Sequence, residues 1–310
     1  MAQAGGSSGL AGEEKCDSGI ASFSELDILH QIQAGVSELE LGGRSPDAAS
    51  DETWRPIRDP MVDEDGDTIL HQAIIHEIPA VAQEIISRDV HKRLLDVQND
   101  FKQTPLHLAV VTEQTTIIVL LLRAGVSLEL QDWQGNTPLH LASGQCSLDS
   151  LLALTSDAQD KHHAAHDSLA RALKIHNYDG HTCLHEAVFA CNNDNVKYLL
   201  EMGSDINAQD PKSGHTALHF AVELRRPTLV ELLAKKNADI NASTYSGCTP
   251  LHLAVGRGAM DLAVMLLASG ADAGLRNMEQ DSAFDLAGSN EELNILSTYD
   301  DLKIGGQPVF

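Results

Sequence analysis

The motif DSGIAS, which begins at Asp17, is the pattern in this sequence that most directly predicts covalent regulation. Phosphorylation of Ser18 and Ser22 would add about −1.5 to −2 charge and three acceptor oxygens at each serine. Gly19 allows a tight turn between the two phosphates, and Ile20 adds an apolar anchor. Together these residues would form a compact acidic hook for an arginine-rich partner. The alternative is an ordinary serine-rich arm.

Six histidines recur at one position of a repeated hexapeptide, and clustered histidines can bind metal. They are His71, His107, His140, His185, His219 and His252. Successive copies lie about one repeat apart, which is too far to share an ion, so we expect each to hydrogen-bond a cap threonine and loop backbone. The threonines of five of these motifs are Thr104, Thr137, Thr182, Thr216 and Thr249.

The remaining chemistry-bearing patterns predict neither a metal site nor catalysis. The segment HHAAH at 162–166 has no cysteine or paired carboxylate at helical spacing, so zinc is not expected there. The chain contains no GxSxG, P-loop, HExxH or kinase signature. We therefore expect no catalytic residues, no cofactor and no enzymatic activity.

The hexapeptide itself predicts the architecture that must position these residues. Its copies begin at residues 68, 104, 137, 182, 216 and 249, and a degraded copy, SAFDLA, occupies 282–287. Thr is a preferred helix N-cap, and Pro is preferred at the first helical position. An apolar run and a turn follow each copy, which indicates two short helices per unit. Such pairs stack into an all-α solenoid with six clear repeats and a degenerate C-terminal unit.

Composition and spacing divide the chain into three parts. Residues 1–60 are acidic and begin rich in Gly and Ser, so we expect a disordered regulatory arm. Residues 61–290 hold the repeats, with an insertion at about 156–177 that should lie outside the packed stack as a long helix or loop. Residues 291–310 form a short tail. Segment 23–32 could be a short amphipathic helix, either without a role or acting in nuclear export.

Net charge narrows the class of partner. The chain of 310 residues has 21 Lys and Arg against 45 Asp and Glu, a formal charge of −24. This charge repels phosphate backbones and favours a partner with a basic segment, so direct nucleic-acid binding is not expected. The sequence contains no run of 18 or more apolar residues, so a membrane span is not expected either.

The hexapeptide period resembles the ankyrin repeat over about 65–290. An ankyrin array downstream of DSGxxS is similar to the IκB family, the inhibitors of NF-κB/Rel transcription factors. The stretch EDGDTILHQAIIHE at 64–77 looks like the first repeat of that family, and YDGHTCLH at 178–185 looks like its fourth. The resemblance implies an ankyrin solenoid that binds Rel dimers (RelA, c-Rel or the like). It also implies retention of these dimers in the cytoplasm, with shuttling to the nucleus as an option.

The resemblance also assigns roles to particular residues. Rel dimers would have their nuclear-localisation segment masked and their DNA binding blocked. IκB kinase would phosphorylate Ser18 and Ser22, and a ubiquitin ligase with a WD-repeat receptor would then direct the inhibitor to the proteasome. Lys15, the sole lysine before Lys92, is the candidate ubiquitin acceptor in the arm.

An acidic group near the start of the array is the candidate contact for the basic localisation segment. It consists of Asp63, Glu64, Asp65 and Asp67, four carboxylates within five residues, which would attract a Lys/Arg run. The alternative is a solvated N-terminal cap of the array.

The sequence departs from the family pattern at two places near its C-terminal end. The best-known member ends in a long acidic tail, whereas here only Asp300 and Asp301 lie near the end, so stripping of Rel from DNA is in doubt. Asp285 replaces the motif histidine in the last unit, which we expect to be a partial cap.

Two other functions are compatible with the sequence. They are a nuclear IκB-like coregulator and a generic ankyrin scaffold for another partner.

Overall fold

A computed structural model describes residues 62–89, 94–145, 147–156 and 164–287, with backbone alone at 164–166. These residues belong to the second of two units into which the chain divides, Asp51–Phe310. The degron motif, Lys15, segment 23–32 and the tail at 291–310 lie outside the described residues, and so do the side chains of HHAAH.

The described residues fold into fourteen α-helices with no strand longer than an isolated bridge. In chain order they are α1 Ile69–Ile75, α2 Pro79–Arg88, α3 Pro105–Val111, α4 Thr115–Ala124, α5 Pro138–Gly144, α6 Asp149–Thr155, α7 Ala164–Ala172, α8 Cys183–Phe189, α9 Asn193–Glu201, α10 Ala217–Glu223, α11 Pro227–Lys235, α12 Pro250–Gly256, α13 Met260–Ala268 and α14 Ala283–Ala287. Helices α1, α3, α5, α8, α10, α12 and α14 form an inner row, and the others form an outer row. The all-α ankyrin solenoid predicted from the sequence is confirmed.

The hexapeptide starts each inner helix through the geometry of its threonine. In α3, Thr104 has an extended backbone, and its hydroxyl accepts a hydrogen bond from the amide of His107. Pro105 occupies the first helical position, where its missing N–H costs nothing. The same reciprocal Thr–His capping box begins the first six inner helices, which have seven residues each. One short motif therefore sets the start and orientation of each repeat.

The core lies between the inner and outer rows and between successive repeats. In the second repeat, Leu106, Ala109 and Val110 of the inner helix are fully buried, as are Ile118 and Leu121 of the outer helix. These positions recur in each repeat with Leu, Ala, Val or Ile. Thin layers built from such residues need few large aromatic side chains, which explains the low aromatic content of 4%.

The insertion of the third repeat is partly packed, which corrects the expectation that it lies outside the stack. Helix α6 ends at Thr155, and a separate helix, α7, follows from Ala164. Leu169, Ala172 and Leu173 are at most 5% exposed. These apolar residues at helical spacing gain more from burial against the array than from exposure to water. The insertion thus adds an extra helix to this repeat.

The last described unit begins its inner helix with a modified cap. The carboxylate of Asp285 takes the place of the motif histidine and accepts hydrogen bonds from the amide and hydroxyl of Ser282 at 2.9 and 2.8 Å. These bonds hold the pKa of Asp285 below its usual range. A carboxylate has no N–H, so Asp285 cannot donate onward to a further carbonyl as the motif histidines do. Among the described residues, no helix is long and apolar enough to cross a bilayer.

Candidate functional site

Seven tight turns, which we call fingers, precede the inner helices and form one edge of the array. They occupy residues 63–67, 99–103, 132–136, 177–181, 210–215, 244–248 and 277–281. In the third finger, Asp132 Oδ1 accepts the amides of Gln134 and Asn136 at 2.9 and 2.8 Å. Asn99, Asn177 and Asn277 serve similarly in their own fingers. The signal for this role was an Asp or Asn five residues before the cap threonine, and sequence reasoning missed it.

Backbone hydrogen bonds join five of the six pairs of neighbouring fingers. The amides of Trp133 and Tyr178 donate to carbonyls of the preceding finger at 3.1 and 3.0 Å. A glycine with positive φ makes this approach possible: Gly135 has φ +79°, and a Cβ there would lie 2.5 Å from Cδ1 of Tyr178. The fingers therefore form a continuous edge on which each tip rests on the one before it.

The finger tips carry a row of exposed large side chains. Phe101, Trp133, Tyr178 and Tyr245 are each more than half exposed, and Met278 is 75% exposed. Large aromatic side chains dominate the energetics of protein interfaces, and exposed apolar rows mark interaction sites. We call these five residues the tip row. Sequence reasoning did not single out these five residues.

The acidic group at the start of the array separates into structural and exposed carboxylates. Asp63 is exposed but stabilises the first finger. Its carboxylate accepts hydrogen bonds from the backbone amides of Asp65 and Asp67 and from Nε2 of Gln72. Asp67 is 7% exposed and accepts a 2.8 Å hydrogen bond from Asn99. Burial raises the pKa of Asp67, although the Asn99 bond opposes this shift. Asp67 therefore joins the first two repeats.

Glu64 and Asp65 remain as exposed carboxylates at the tip of the first finger. Asp100, which is also exposed, adds a third, because its carboxylate lies over Gly66, where a Cβ would come within 2.7 Å of it. Sequence reasoning missed Asp100, since it follows Asp65 by a full repeat. We call Glu64, Asp65 and Asp100 the acidic tip.

The six motif histidines link consecutive repeats as neutral rings. Nδ1 of His107 accepts the amide and hydroxyl of Thr104, at 3.1 and 2.8 Å, so Nε2 carries the proton and donates to the carbonyl of Asn136 at 3.1 Å. Burial lowers the pKa of His71, His107, His140, His185 and His219, to about 4 for the last two. With both nitrogens occupied, these rings offer no lone pair to a metal.

Comparison with known proteins places the chain in a family. Models of ankyrin repeats match residues 70–165, 179–211 and 203–277. Human NF-kappa-B inhibitor epsilon is 46% identical over 246 residues, which cover 79% of this chain and 48% of that protein. The crystal structure of the ankyrin repeat domain of Bcl-3, a member of the IκB family, has TM-score 0.69 and 39% identity and covers 76% of this chain and all of that one. The chain belongs to the IκB family.

Two further relatives show how widely the similarity extends. Human NF-kappa-B inhibitor alpha is 41% identical over 201 residues, or 64% of this chain and 59% of that protein. Human B-cell lymphoma 3 protein is 41% identical over 235 residues, or 76% and 50%. The chain spans about half to three fifths of the length of these curated relatives.

Proposed function

We propose that this IκB-family chain inhibits NF-κB/Rel transcription factors by binding Rel dimers, retaining them in the cytoplasm and blocking their access to DNA. The observation that carries the proposal is the finger edge, where the acidic tip is continuous with the exposed tip row. The names of the related inhibitors support Rel dimers as the partner.

Charge complementarity explains how one surface would both mask a localisation segment and oppose DNA binding. Glu64, Asp65 and Asp100 present carboxylates that can pair with the Lys and Arg side chains of a basic segment. A net charge of −24 repels the phosphates of DNA that would otherwise occupy the basic surface of the partner. The tip row would then bury apolar area against the partner, which favours a slow dissociation.

The regulatory part of the proposal rests on the N-terminal arm. Phosphorylation of Ser18 and Ser22 by IκB kinase would complete the acidic hook, and a WD-repeat ubiquitin-ligase receptor would bind it. Ubiquitin transfer, with Lys15 as the candidate acceptor, would lead to proteasomal degradation and release of the Rel dimer.

A binding experiment tests the acidic tip. Purified chain and a purified RelA-containing dimer are measured by surface plasmon resonance, for wild type and for Glu64→Gln/Asp65→Asn. We expect the variant to weaken the affinity about tenfold, since two charge-assisted contacts are lost. The matched control is Asp194→Asn/Asp261→Asn, which removes the same charge from exposed sites on outer helices. If the control weakens binding equally, the loss of affinity reflects net charge and not the position of the acidic tip. If the wild-type chain does not bind the dimer, a generic ankyrin scaffold for another partner is favoured.

A second function, a nuclear coregulator that rides on DNA-bound Rel, is favoured by the similarity to B-cell lymphoma 3 protein. A gel-shift experiment with Rel dimer on its DNA site separates the two functions: an inhibitor reduces the shifted band, whereas a coregulator produces a band of lower mobility.

The degron motif predicts degradation that depends on its two serines. In stimulated cells, we expect the Ser18→Ala/Ser22→Ala variant to persist while the wild-type protein disappears. Equal loss of both proteins would contradict the degron.

A further inference from the structure

The junction between the fourth and fifth repeats differs from its neighbours in the hydrogen bonds along the fingers. At the junctions on either side, three kinds of link join consecutive repeats: a backbone bond, a glutamine bridge and the motif histidine.

The backbone link is missing at this junction. In five pairs of consecutive fingers, the second residue of one finger donates its amide to the preceding finger, as Tyr178 does to Gln134 at 3.0 Å and Tyr245 to Ser213 at 3.0 Å. The fifth finger has Pro211 at this position, and proline has no N–H to donate. An exposed ion pair, Lys212 to Asp179 at 3.2 Å, and the packing of Pro211 over Gly180 join the two tips without a backbone hydrogen bond.

The glutamine bridge is also missing. Nε2 of Gln131 donates to the carbonyls of Gly135 and His176 at 2.7 and 3.0 Å, which joins the third and fourth repeats. Gln98 and Gln209 make the same pair of bonds at other junctions. At the fourth repeat this position is His176, whose Nε2 is buried without a hydrogen-bond partner. A histidine ring cannot donate to two carbonyls as a carboxamide does.

The hydrogen bond of the motif histidine reaches a different carbonyl at this junction. In the other five repeats, Nε2 donates to the carbonyl directly before the next cap residue, as His219 does to Cys248 at 3.2 Å. The fifth finger is one residue longer, and His185 donates instead to Ala208, ahead of the finger, at 3.2 Å. None of the three links therefore anchors the fifth finger itself to the fourth.

Ring contacts between the inner helices hold this junction instead. Phe189 of α8 lies 4.8 Å from Phe220 of α10, and His185 lies 5.2 Å from Phe220, between ring centroids. Nearer the fingers, a cavity of about 230 Å³ is bordered by His176, Thr182 and Ser204. The hydroxyl of Ser204 is buried without a partner, like Nε2 of His176. The junction is thus packed at the inner helices and loosely bonded at the fingers.

We propose that this junction is a hinge between a block of repeats 1–4 and a block of repeats 5–7. Ring contacts tolerate small rotations because dispersion has little directionality, whereas a ladder of hydrogen bonds resists them. Rotation about the ring cluster changes the distance between the tips of Tyr178 and Tyr245, and so adapts the tip row to the shape of a partner. The hinge is a property of the free chain and does not depend on the identity of that partner.

Hydrogen exchange of the full-length free protein, followed by mass spectrometry at low urea concentrations, tests the hinge. We expect amides of residues 216–287 to exchange as one group, through openings about tenfold more frequent than those of residues 62–209. His176→Gln restores a carboxamide and should slow exchange of the C-terminal group by about tenfold, since a bridge of two hydrogen bonds is regained. Gln131→His removes the glutamine bridge between the third and fourth repeats. The amides of the fourth repeat should then exchange with the faster C-terminal group.

The two variants separate a hinge from fraying at the end of the array. Gradual loss of protection towards residue 287, unchanged by His176→Gln, would overturn the proposal. So would a boundary that stays at the same place in Gln131→His. A sharp boundary near residue 210 that weakens in His176→Gln and moves one repeat earlier in Gln131→His would support it.

Discussion

At the scale of single residues, the array depends on polar side chains whose roles come from their hydrogen bonds. His107 joins two repeats only as a neutral ring, because Nδ1 must accept from Thr104 while Nε2 donates to Asn136. Asp67, in an acidic group that suggests partner binding, is instead buried against Asn99. Residue type alone therefore does not decide which acids and histidines are available for function.

The neutral histidines predict a loss of stability in acid. The pKa of His219 falls from an ordinary 6.5 to about 4 in the folded chain, so the unfolded chain binds the proton first as the pH falls. The stabilisation is complete above about pH 6.5 and is lost towards pH 4, by about 1.4 kcal/mol per pH unit per ring. Urea unfolding between about pH 7 and about pH 4.5 should give a shallower pH dependence for His219→Gln. An unchanged slope would contradict a neutral ring.

Gly135 and Gly144 differ in backbone conformation and surroundings, so alanine should change stability in opposite directions at the two positions. Gly135 has φ +79° and lies under Tyr178, so Gly135→Ala should cost about 2 kcal/mol or more of unfolding free energy. Gly144 ends helix α5, and a Cβ there meets nothing within 4 Å. Gly144→Ala should therefore stabilise by about 0.5–1 kcal/mol. Thermal and urea unfolding would measure both, and a shift of equal sign would contradict the finger geometry.

At the scale of elements, short helices are stable here because caps and neighbours support them. Inner helices of seven residues are too short to form alone, but each has a Thr–His capping box and buried faces on both sides. Helix α7 shows the same principle within an insertion, since its apolar side faces the array while Arg171 reaches Glu129 at 2.9 Å.

Helix α7 allows burial and ion pairing to be compared. Leu169 is 3% exposed, so Leu169→Ala should lower the unfolding free energy by about 2–4 kcal/mol. Arg171 is 62% exposed in its ion pair with Glu129, so Arg171→Ala should change stability by less than about 0.5 kcal/mol. Urea titration would measure both variants. A small effect of Leu169→Ala would mean that α7 is not part of the packed array in solution.

At the scale of the whole molecule, the stacked repeats place exposed groups from distant parts of the sequence along one edge. The acidic tip comes from the first two repeats, and the tip row extends from Phe101 to Met278. The chain as a whole has a formal net charge of −24, which favours fast encounter with a basic partner. The proposed hinge divides the same edge between Tyr178 and Tyr245.

Long-range charge predicts how binding depends on salt. Raising the ionic strength from about 0.1 M to about 1 M shortens the Debye length from about 10 Å to about 3 Å. The association rate constant with a Rel dimer should fall by about tenfold or more, while the dissociation rate constant changes less. Stopped-flow measurements would separate the two rates. Glu64→Gln/Asp65→Asn should show a weaker salt dependence, and an effect confined to dissociation would contradict electrostatic steering.

The sequence by itself determined the repeat, its helices and its caps. A period near 33 residues, Thr at each cap and Leu and Ala at fixed positions are local signals, and local hydrogen bonds and apolar spacing decide the same structure wherever they recur. The family resemblance came from the same motifs and from the degron pattern.

Only the tertiary structure decided which of these residues are exposed, buried or unpaired. Asp65 and Asp100 meet, Asp67 is buried, and Pro211 interrupts a ladder that other fingers complete. These outcomes depend on contacts between residues about one repeat apart, and the chain of a single repeat carries no signal for them. Stacking creates them because each finger contacts the finger before it, and a local motif cannot specify what its neighbour presents.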